Sequence, residues 1–400
     1  MNGPEASAWS SSEDWCLAPD LLHLNHGAFG AVPKAVREAQ QALRDRVEAE
    51  PAVWFERHHL PALDHAREEL ASFLGTRPAS LALVPNATVG VNTVLASCPV
   101  EPGEEWMCTD HTYHATRNAL LRWADARGAT VRAVPLPFPI ARDGDWEERI
   151  LAAVGPRTRL ALLDHVTSAT GAVLDVARLV PELERRGVRV LLDSAHGAGM
   201  LDWSLEQTGA SWTVGNGHKW LCGAKGSGFL HVRGDLLDQV EPLVTSHGRD
   251  APDGERGRFR WMADWLGTLD YTAMYVLPEA LAFVERLRSG GWPAHRAALL
   301  RRARSWTLRS QEILGQPSPL PSGMMGAMSV MILPDGHGVL SGPRDPLNLQ
   351  LRDQHGIVAG VFNWPTWPRR ILRLSAQAYV PEDAPERLIE ALRELGALSR

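Results

Sequence analysis

Lysine is nearly missing from this chain of 400 residues: Lys34, Lys219 and Lys225 are the only ones, and arginine supplies the other basic side chains. Acidic residues outnumber basic ones by 47 to 41, a formal net charge of −6. That balance argues against the basic surface by which proteins hold nucleic acid or an anionic membrane. Cysteine is scarce as well. Cys16, Cys98, Cys108 and Cys222 stand far apart without a CxxC pair, which predicts reduced, mostly buried thiols rather than a disulfide framework. No uninterrupted apolar run approaches the roughly 18 residues that span a bilayer. Met1 to Asp20 carries tryptophan, serine and acidic groups where an export signal needs a basic start and an apolar stretch, so a cytoplasmic location is expected. Low-complexity tracts and solenoid-period repeats are absent, and the 35 glycines and 28 prolines are scattered as punctuation.

What is there is an ordinary globular composition, 44% hydrophobic and 22% charged, in a chain long enough for two domains. From about Leu81 to Val232 short apolar runs alternate with helical patterns, the signature of a mostly parallel α/β sheet covered by helices. Leu81–Val84, Arg159–Asp164, Val188–Leu192 ending at Asp193, and Trp212–Val214 read as strands, with Gly228–Val232 as a hairpin strand. Gly171 to Gly187 supplies a crossover helix. Beyond about Gly257 the pattern changes. Pro278–Leu300, Ala303–Leu314 and Asp383–Leu398 read as helices, and Ser329–Leu333 and Ile371–Ser375 as strands, which suggests a smaller α+β C-terminal domain. The expected division is an N-terminal segment over 1–20, a large domain over 21–265 and a small domain over 266–400.

In an open α/β sheet, ligands sit beyond the carboxyl ends of the strands. Three groups of candidates fall there: Asn86-Ala87-Thr88, Asp193 with His196, and His218-Lys219. Small and polar residues opening a helix present unpaired backbone N–H groups and a positive dipole end, which suits phosphate. An aspartate ending a buried strand points a carboxylate into the same crevice. A lysine flanked by glycines and an aromatic is placed to lose solvent, which lowers its pKa and frees its amine. Singly, each has a plainer reading: a helix cap, a turn residue, a solvated charge. Together, a phosphate cradle, a carboxylate and a nucleophilic lysine are what pyridoxal 5′-phosphate requires. The lysine forms a Schiff base with it, and the aspartate keeps its pyridine nitrogen protonated.

Asp193-Ser194-Ala195-His196, followed by Gly215-Asn216-Gly217-His218-Lys219-Trp220, resembles the fold type I pyridoxal-phosphate enzymes of the class V aminotransferase and cysteine desulfurase superfamily. Leu24-Asn25-His26-Gly27-Ala28-Phe29-Gly30, Val84-Pro85-Asn86-Ala87-Thr88, His165-Val166-Thr167-Ser168 and Gly217-His218-Lys219-Trp220-Leu221-Cys222 resemble, in order, motifs of its isopenicillin N epimerase-like branch. The likeness runs from about Leu22 to Tyr379. It implies the fold type I architecture and a homodimer with active sites at the subunit interface. Lys219 is implied as the cofactor-bearing lysine, Asp193 as the partner of the pyridine nitrogen, and His196 as a neighbour of the phenolic oxygen. Ala87, Thr88, Asn216 and His218 are implied as the phosphate cradle, and Tyr113 as the side chain stacked on the ring. Gly267-Thr268 resembles the segment that reaches the phosphate across the subunit interface. Arg373, in Leu372-Arg373-Leu374-Ser375, is implied to grip the substrate α-carboxylate, with Asn25 and His26 also at the substrate.

Lys225 also sits among glycines and is a rival; Lys219 is favoured because His218 precedes it and it stands 26 positions after Asp193, as the resemblance implies. His111 and His114 lack the cysteine or carboxylate cluster that would complete a metal site. His58-His59 is expected on a helix surface, and Arg249, Arg256, Arg258 and Arg260 in a solvated loop. Phe362, Trp364 and Trp367 hint at a bulky or apolar wall of the substrate pocket. The last cysteine is Cys222, so the late, mobile cysteine of persulfide-forming desulfurases is missing. The expected reaction is epimerisation at the α-carbon of an amino acid, with C–S lysis of a cysteine conjugate or transamination as the alternative. Epimerisation needs a second proton donor opposite Lys219; Tyr113 and a positioned water are the candidates. A regulator without turnover would need an attached DNA-binding segment, which is not expected here, since the motifs begin by Leu24 and the charge is acidic.

Overall fold

A computed structural model of the chain describes residues 12–251, 254, 256–340, 342 and 344–398; residues 1–11 of the expected N-terminal segment lie outside them. Seven strands form the central sheet. From one edge they run Leu81–Val84, Gly228–Val232, Trp212–Asn216, Arg189–Asp193, Thr158–Asp164, Glu105–Thr109 and Thr130–Val134. All are mutually parallel except Gly228–Val232, which is antiparallel to both its neighbours.

Parallel strands covered on both faces read as nearly continuous apolar runs. Thr158–Asp164 does so, with Leu160, Ala161, Leu162 and Leu163 all buried. Alternation along a strand then sorts these side chains by face. Leu160, Leu162 and Leu191 pack with Val91, Val94 and Leu120 from the helices Ala87–Ser97 and His114–Arg127. Ala161, Leu163 and Leu192 pack on the other face with Leu179, Val180 and Leu183 from Val176–Arg185. The same period of two carries Asp164 and Asp193 onto the first face, where the register sets them side by side.

A second sheet, antiparallel, joins Gly360–Asn363, Arg370–Ser375 and Met328–Leu333, with the helix Gly291–Leu314 packed on Met328–Leu333. The early segment Leu22–His23 pairs in parallel with Ile357–Val358. Ser375 continues this tie, its N–H donating to the Leu24 carbonyl at 2.8 Å and its hydroxyl accepting the Gly27 N–H at 3.0 Å. Start and end of the chain thus build one wall together.

Several local expectations are adjusted. The crossover helix is only Val176–Arg185, because Ala172 and Val173 are held in extended bridges and Asp175 caps the helix by accepting the Arg178 N–H. The later helices are Leu277–Arg286 and Gly291–Leu314, parted where Gly290 (φ 89°) and Gly291 (φ 57°) take backbone conformations that favour glycine. The tail helix is Ala384–Glu394. Cys98, Cys108 and Cys222 are buried as expected, and Cys16 is partly so. Among the described residues no helix is long and apolar enough to cross a membrane.

Two expectations about exposed charge are overturned. His59 is buried, its Nδ1 2.6 Å from the Tyr275 hydroxyl and its Nε2 3.0 Å from the Asp264 carbonyl, whereas His58 stays exposed. Arg256 and Arg260 belong to an ionic cluster rather than to a solvated loop. Arg256 reaches Asp64 at 2.8 Å and Asp264 at 3.0 Å, and Arg260 reaches Asp64 from the helix Arg258–Asp264. At its centre Arg67, without exposed surface, pairs with both carboxylates and donates to the Leu81 carbonyl. Arg258 pairs with Glu241 on the surface.

Asp264→Asn removes the charge that faces the Arg67 guanidinium. Asp64 remains as a partner, so the loss of stability should fall at the lower end of the roughly 3–5 kcal/mol for breaking a buried pair, read from urea midpoints. Burial also holds His23, His111 and His231 down to about 4, and His165 and His295 to about 3. Above pH 6.5 these rings are neutral whether folded or unfolded; below it the unfolded chain takes up protons that the fold refuses. Stability should therefore fall as pH drops from about 6.5 towards 4, by up to about 1.4 kcal/mol per pH unit for each ring. Urea midpoints measured across that window check it.

Candidate active site

A cavity of about 210 Å³ opens where the strands ending at Val84, Asp164, Asp193 and Asn216 leave the sheet. Ala87, Thr88, Tyr113, Asp193, His196, Asn216, His218 and Lys219 all line it, so the structure brings together every expected cofactor residue except Thr268. Asp164, Val166 and Ser168 complete its floor, and Phe29, 70% exposed, stands at its mouth.

Lys219 lies in the link between Trp212–Asn216 and Gly228–Val232. The turn behind it is tight: the Cys222 N–H donates to the Lys219 carbonyl at 3.0 Å, and Cys222 takes a φ of 60°. The 25–30 turn packs directly on this link, and a Cβ on Gly30 would overlap the His218 carbonyl oxygen. Only 9% of Lys219 is exposed. Loss of solvent lowers its pKa to about 8; Asp193 and Asp164 oppose that fall and Arg373 adds to it. Its Nζ stands 3.1 Å from His196 Nε2 and 6.0 Å from the centre of the Tyr113 ring.

Two carboxylates face this amine. Asp193 accepts the Ala195 N–H at 3.0 Å, and Asp164 accepts the Tyr113 N–H at 3.2 Å. Burial raises both pKa values, and the charge of Asp193 pushes Asp164 up further. Asp164 Oδ2 is buried without a hydrogen-bond partner. Asp164 was not among the expected site residues, although Arg159–Asp164 also reads as a strand that ends in aspartate.

The helix Ala87–Ser97 points its N-terminus into the cavity. Asn86 caps it by accepting the Val89 N–H at 3.0 Å, and Asn216 Oδ1 accepts the Ala87 N–H at 2.9 Å. By helix geometry the Thr88 N–H has no acceptor within its own helix. His218 Nδ1 is buried without a partner, and its ring is held to a pKa of about 4 mainly by burial. These groups fit pyridoxal 5′-phosphate: a positive dipole end with a spare amide for the phosphate, a carboxylate pair for the ring nitrogen, an amine for the aldehyde.

The remaining expected residues lie elsewhere. Thr268 is exposed and does not line this cavity. Arg373 is buried beside the cavity, near enough for its charge to act on Lys219; it donates to the Ser168 carbonyl and, at 2.9 Å, to Asn25 Oδ1, with its guanidinium 4.9 Å from the Phe362 ring centre. His26 does not line the cavity. It has no exposed surface, and its nitrogens hold the Lys219 carbonyl at 3.0 Å and the Tyr379 hydroxyl at 3.1 Å. Lys225 is tied to the Gly30 carbonyl at 2.6 Å, outside the cavity lining. His111 packs between Trp146 and Trp364, and no metal-holding cluster occurs among the described residues.

Sheet order, cavity position and side-chain set together define a fold type I pyridoxal-phosphate enzyme. Residues 31–315 match the model of the class V aminotransferases, and the chain belongs to that family. It is 35% identical to isopenicillin N epimerase of Amycolatopsis lactamdurans over 98% of this chain and 99% of that protein. It is 26% identical to a probable chloroplastic L-cysteine desulfhydrase of Arabidopsis thaliana, over 94% of this chain and 83% of the relative. A solved mutant of C-DES, with glycine covalently linked to its pyridoxal-phosphate cofactor, shares the fold. The TM-score is 0.81 at 22% identity, over 96% of this chain and 99% of that one.

An amine reacts with an aldehyde only when deprotonated, and a pKa near 8 makes that form abundant at lower pH than the ordinary 10.5. Capture of pyridoxal 5′-phosphate by the cofactor-free chain, trapped with borohydride, should therefore rise with pH about a midpoint near 8. A midpoint at the ordinary value would contradict the desolvated lysine.

Proposed function

We propose that this enzyme epimerises the α-carbon of an amino acid in the manner of isopenicillin N epimerase, with Lys219 bearing the cofactor. The observation that carries the reading is the buried amine of Lys219 facing His196 and the Asp164–Asp193 pair in one cavity. Identity of 35% to the Amycolatopsis epimerase along nearly the whole of both chains supports the reaction. When bound, pyridoxal 5′-phosphate supplies an electron sink that labilises bonds at the α-carbon.

The chain's own groups do the rest. Ala87, Thr88, Asn216 and His218 hold the phosphate, and Asp193 holds a proton at the ring nitrogen. Lys219 Nζ takes or returns the α-proton on one face, and Tyr113, or a water that it positions, exchanges the proton on the other. Arg373, supported by Asn25, binds the α-carboxylate as a planar fork. Thr268 serves the phosphate of a second copy in a homodimer, which accords with its exposure away from its own cavity.

C–S lysis is the second reading, favoured by the likeness to the Arabidopsis desulfhydrase. Persulfide chemistry has no support, because the last cysteine, Cys222, is buried and its thiol is pushed up to about 12.

The test is proton NMR of the holoenzyme in D₂O with L-amino acids and cysteine conjugates. Exchange of the α-proton with scrambled chirality and an intact carbon skeleton is the expected outcome. Pyruvate and ammonia would make it a lyase, and a keto acid formed only with an amino acceptor an aminotransferase. Lys219→Ala should lose the borohydride-reducible linkage and slow turnover by more than about a hundredfold, the floor of a general acid–base contribution.

A further inference from the structure

We propose that Trp220 is a positioning residue: its indole N–H fixes the tautomer of His196, and that tautomer favours the neutral amine of Lys219, the form that reacts with the cofactor aldehyde. The proposal rests on the reading that Lys219 bears the cofactor.

Both nitrogens of the His196 ring are engaged. Trp220 Nε1 donates to His196 Nδ1 at 3.2 Å, and Lys219 Nζ lies 3.1 Å from His196 Nε2. An indole nitrogen can only donate. Nδ1 must therefore present its lone pair, and a neutral imidazole with a bare Nδ1 carries its single hydrogen on Nε2. That hydrogen points at Lys219. An ammonium has three donors and no acceptor, so it would meet the Nε2–H donor to donor. A neutral amine has the lone pair to accept it. An imidazolium fares worse, because its Nδ1–H would face the indole N–H.

The indole is held for this task. Trp220 is only 1% exposed, and its rings pack 5.3 Å from the His26 ring. Its backbone is clamped from behind: Gly199 (φ 87°) approaches so closely that a Cβ there would lie 2.6 Å from the Trp220 carbonyl oxygen. His196 itself stays neutral, its pKa lowered chiefly by burial, then by Lys219, Arg373, His26 and His218. Facing Lys219 from the other elements are Asp193 and Asp164 at the strand ends and Arg373 from Arg370–Ser375. The two carboxylates favour an ammonium. The hydrogen on Nε2, in direct contact, is the short-range feature that opposes them.

The test is the pH dependence of pyridoxal 5′-phosphate capture by the full-length, cofactor-free chain carrying Trp220→Phe. Phenylalanine keeps an aromatic ring but has no N–H, so Nδ1 is free to carry the hydrogen and Nε2 to accept from an ammonium. One hydrogen bond of ordinary strength then moves the capture midpoint up by about one pH unit, and capture below it slows about tenfold. Trp203→Phe, whose ring packs on His165 instead, should leave the midpoint in place. An unshifted midpoint in a Trp220→Phe chain that melts like its parent overturns the proposal. A second measurement needs no folded Trp220 variant: long-range ¹H–¹⁵N correlation on the histidine-labelled unsubstituted chain, with His196 assigned through His196→Gln. The Nε2–H form is expected, and the Nδ1–H form overturns the proposal. Lys219→Ala separates the two readings. If it still forms a reducible linkage, the lysine assignment fails. If it loses the linkage while Trp220→Phe shifts nothing, only the role of Trp220 fails.

Discussion

Removing one primary amine from water at the carboxyl edge of a parallel sheet is the constraint on which the rest of this structure depends. Full desolvation alone would strip Lys219 of its charge, and two carboxylates alone would fasten the charge in place. The cavity sets these against each other, and the pKa settles near 8. Everything behind the lysine serves its position: the tight turn through Cys222, the 25–30 turn lying on the His218 carbonyl, and His26 clasping the lysine's own carbonyl from beneath.

The cavity also has two poles. At one, the N-terminus of Ala87–Ser97 with Asn216 and His218 attracts negative charge. At the other, Asp164 and Asp193 stand in register and attract a proton. A pyridine ring with a phosphate on one side and a basic nitrogen on the other matches that polarity. Two carboxylates side by side in a dry site resist ionising together, so the pair is as well suited to sharing a proton as to holding one.

The wall beside the cavity is built differently, from segments far apart in the chain: Leu22–His23 pairs with Ile357–Val358, and Ser375 is bonded to Leu24 and Gly27. Arg373, Asn25 and Ser168 form one hydrogen-bonded unit there. A common cofactor pole joined to a wall made by distant segments fits a family whose relatives here are named for an epimerase and for a desulfhydrase.

Much of this was legible in the residues. Strand alternation and turn chemistry are local, so the sheet core, the Asn86 cap, Asp193 at its strand end and Lys219 after the next strand could be read in order. The helix break at Gly290-Gly291 was equally local and was overlooked. What stayed hidden involves partners distant in sequence. Arg256 lies 192 positions from Asp64, and periodicity carries no information about which helices will meet. Asp164 gained its meaning from the register against Asp193, and His26 proves to hold the Lys219 carbonyl from behind the link. The sequence by itself determined the family, five of the seven strands of the central sheet and most of the cavity groups, because these follow from neighbours along the chain; the strands Glu105–Thr109 and Thr130–Val134 were not read from it. Only the tertiary structure decided which charges are dry and which carboxylates are paired, because desolvation and hydrogen-bond partners depend on what is packed on every side.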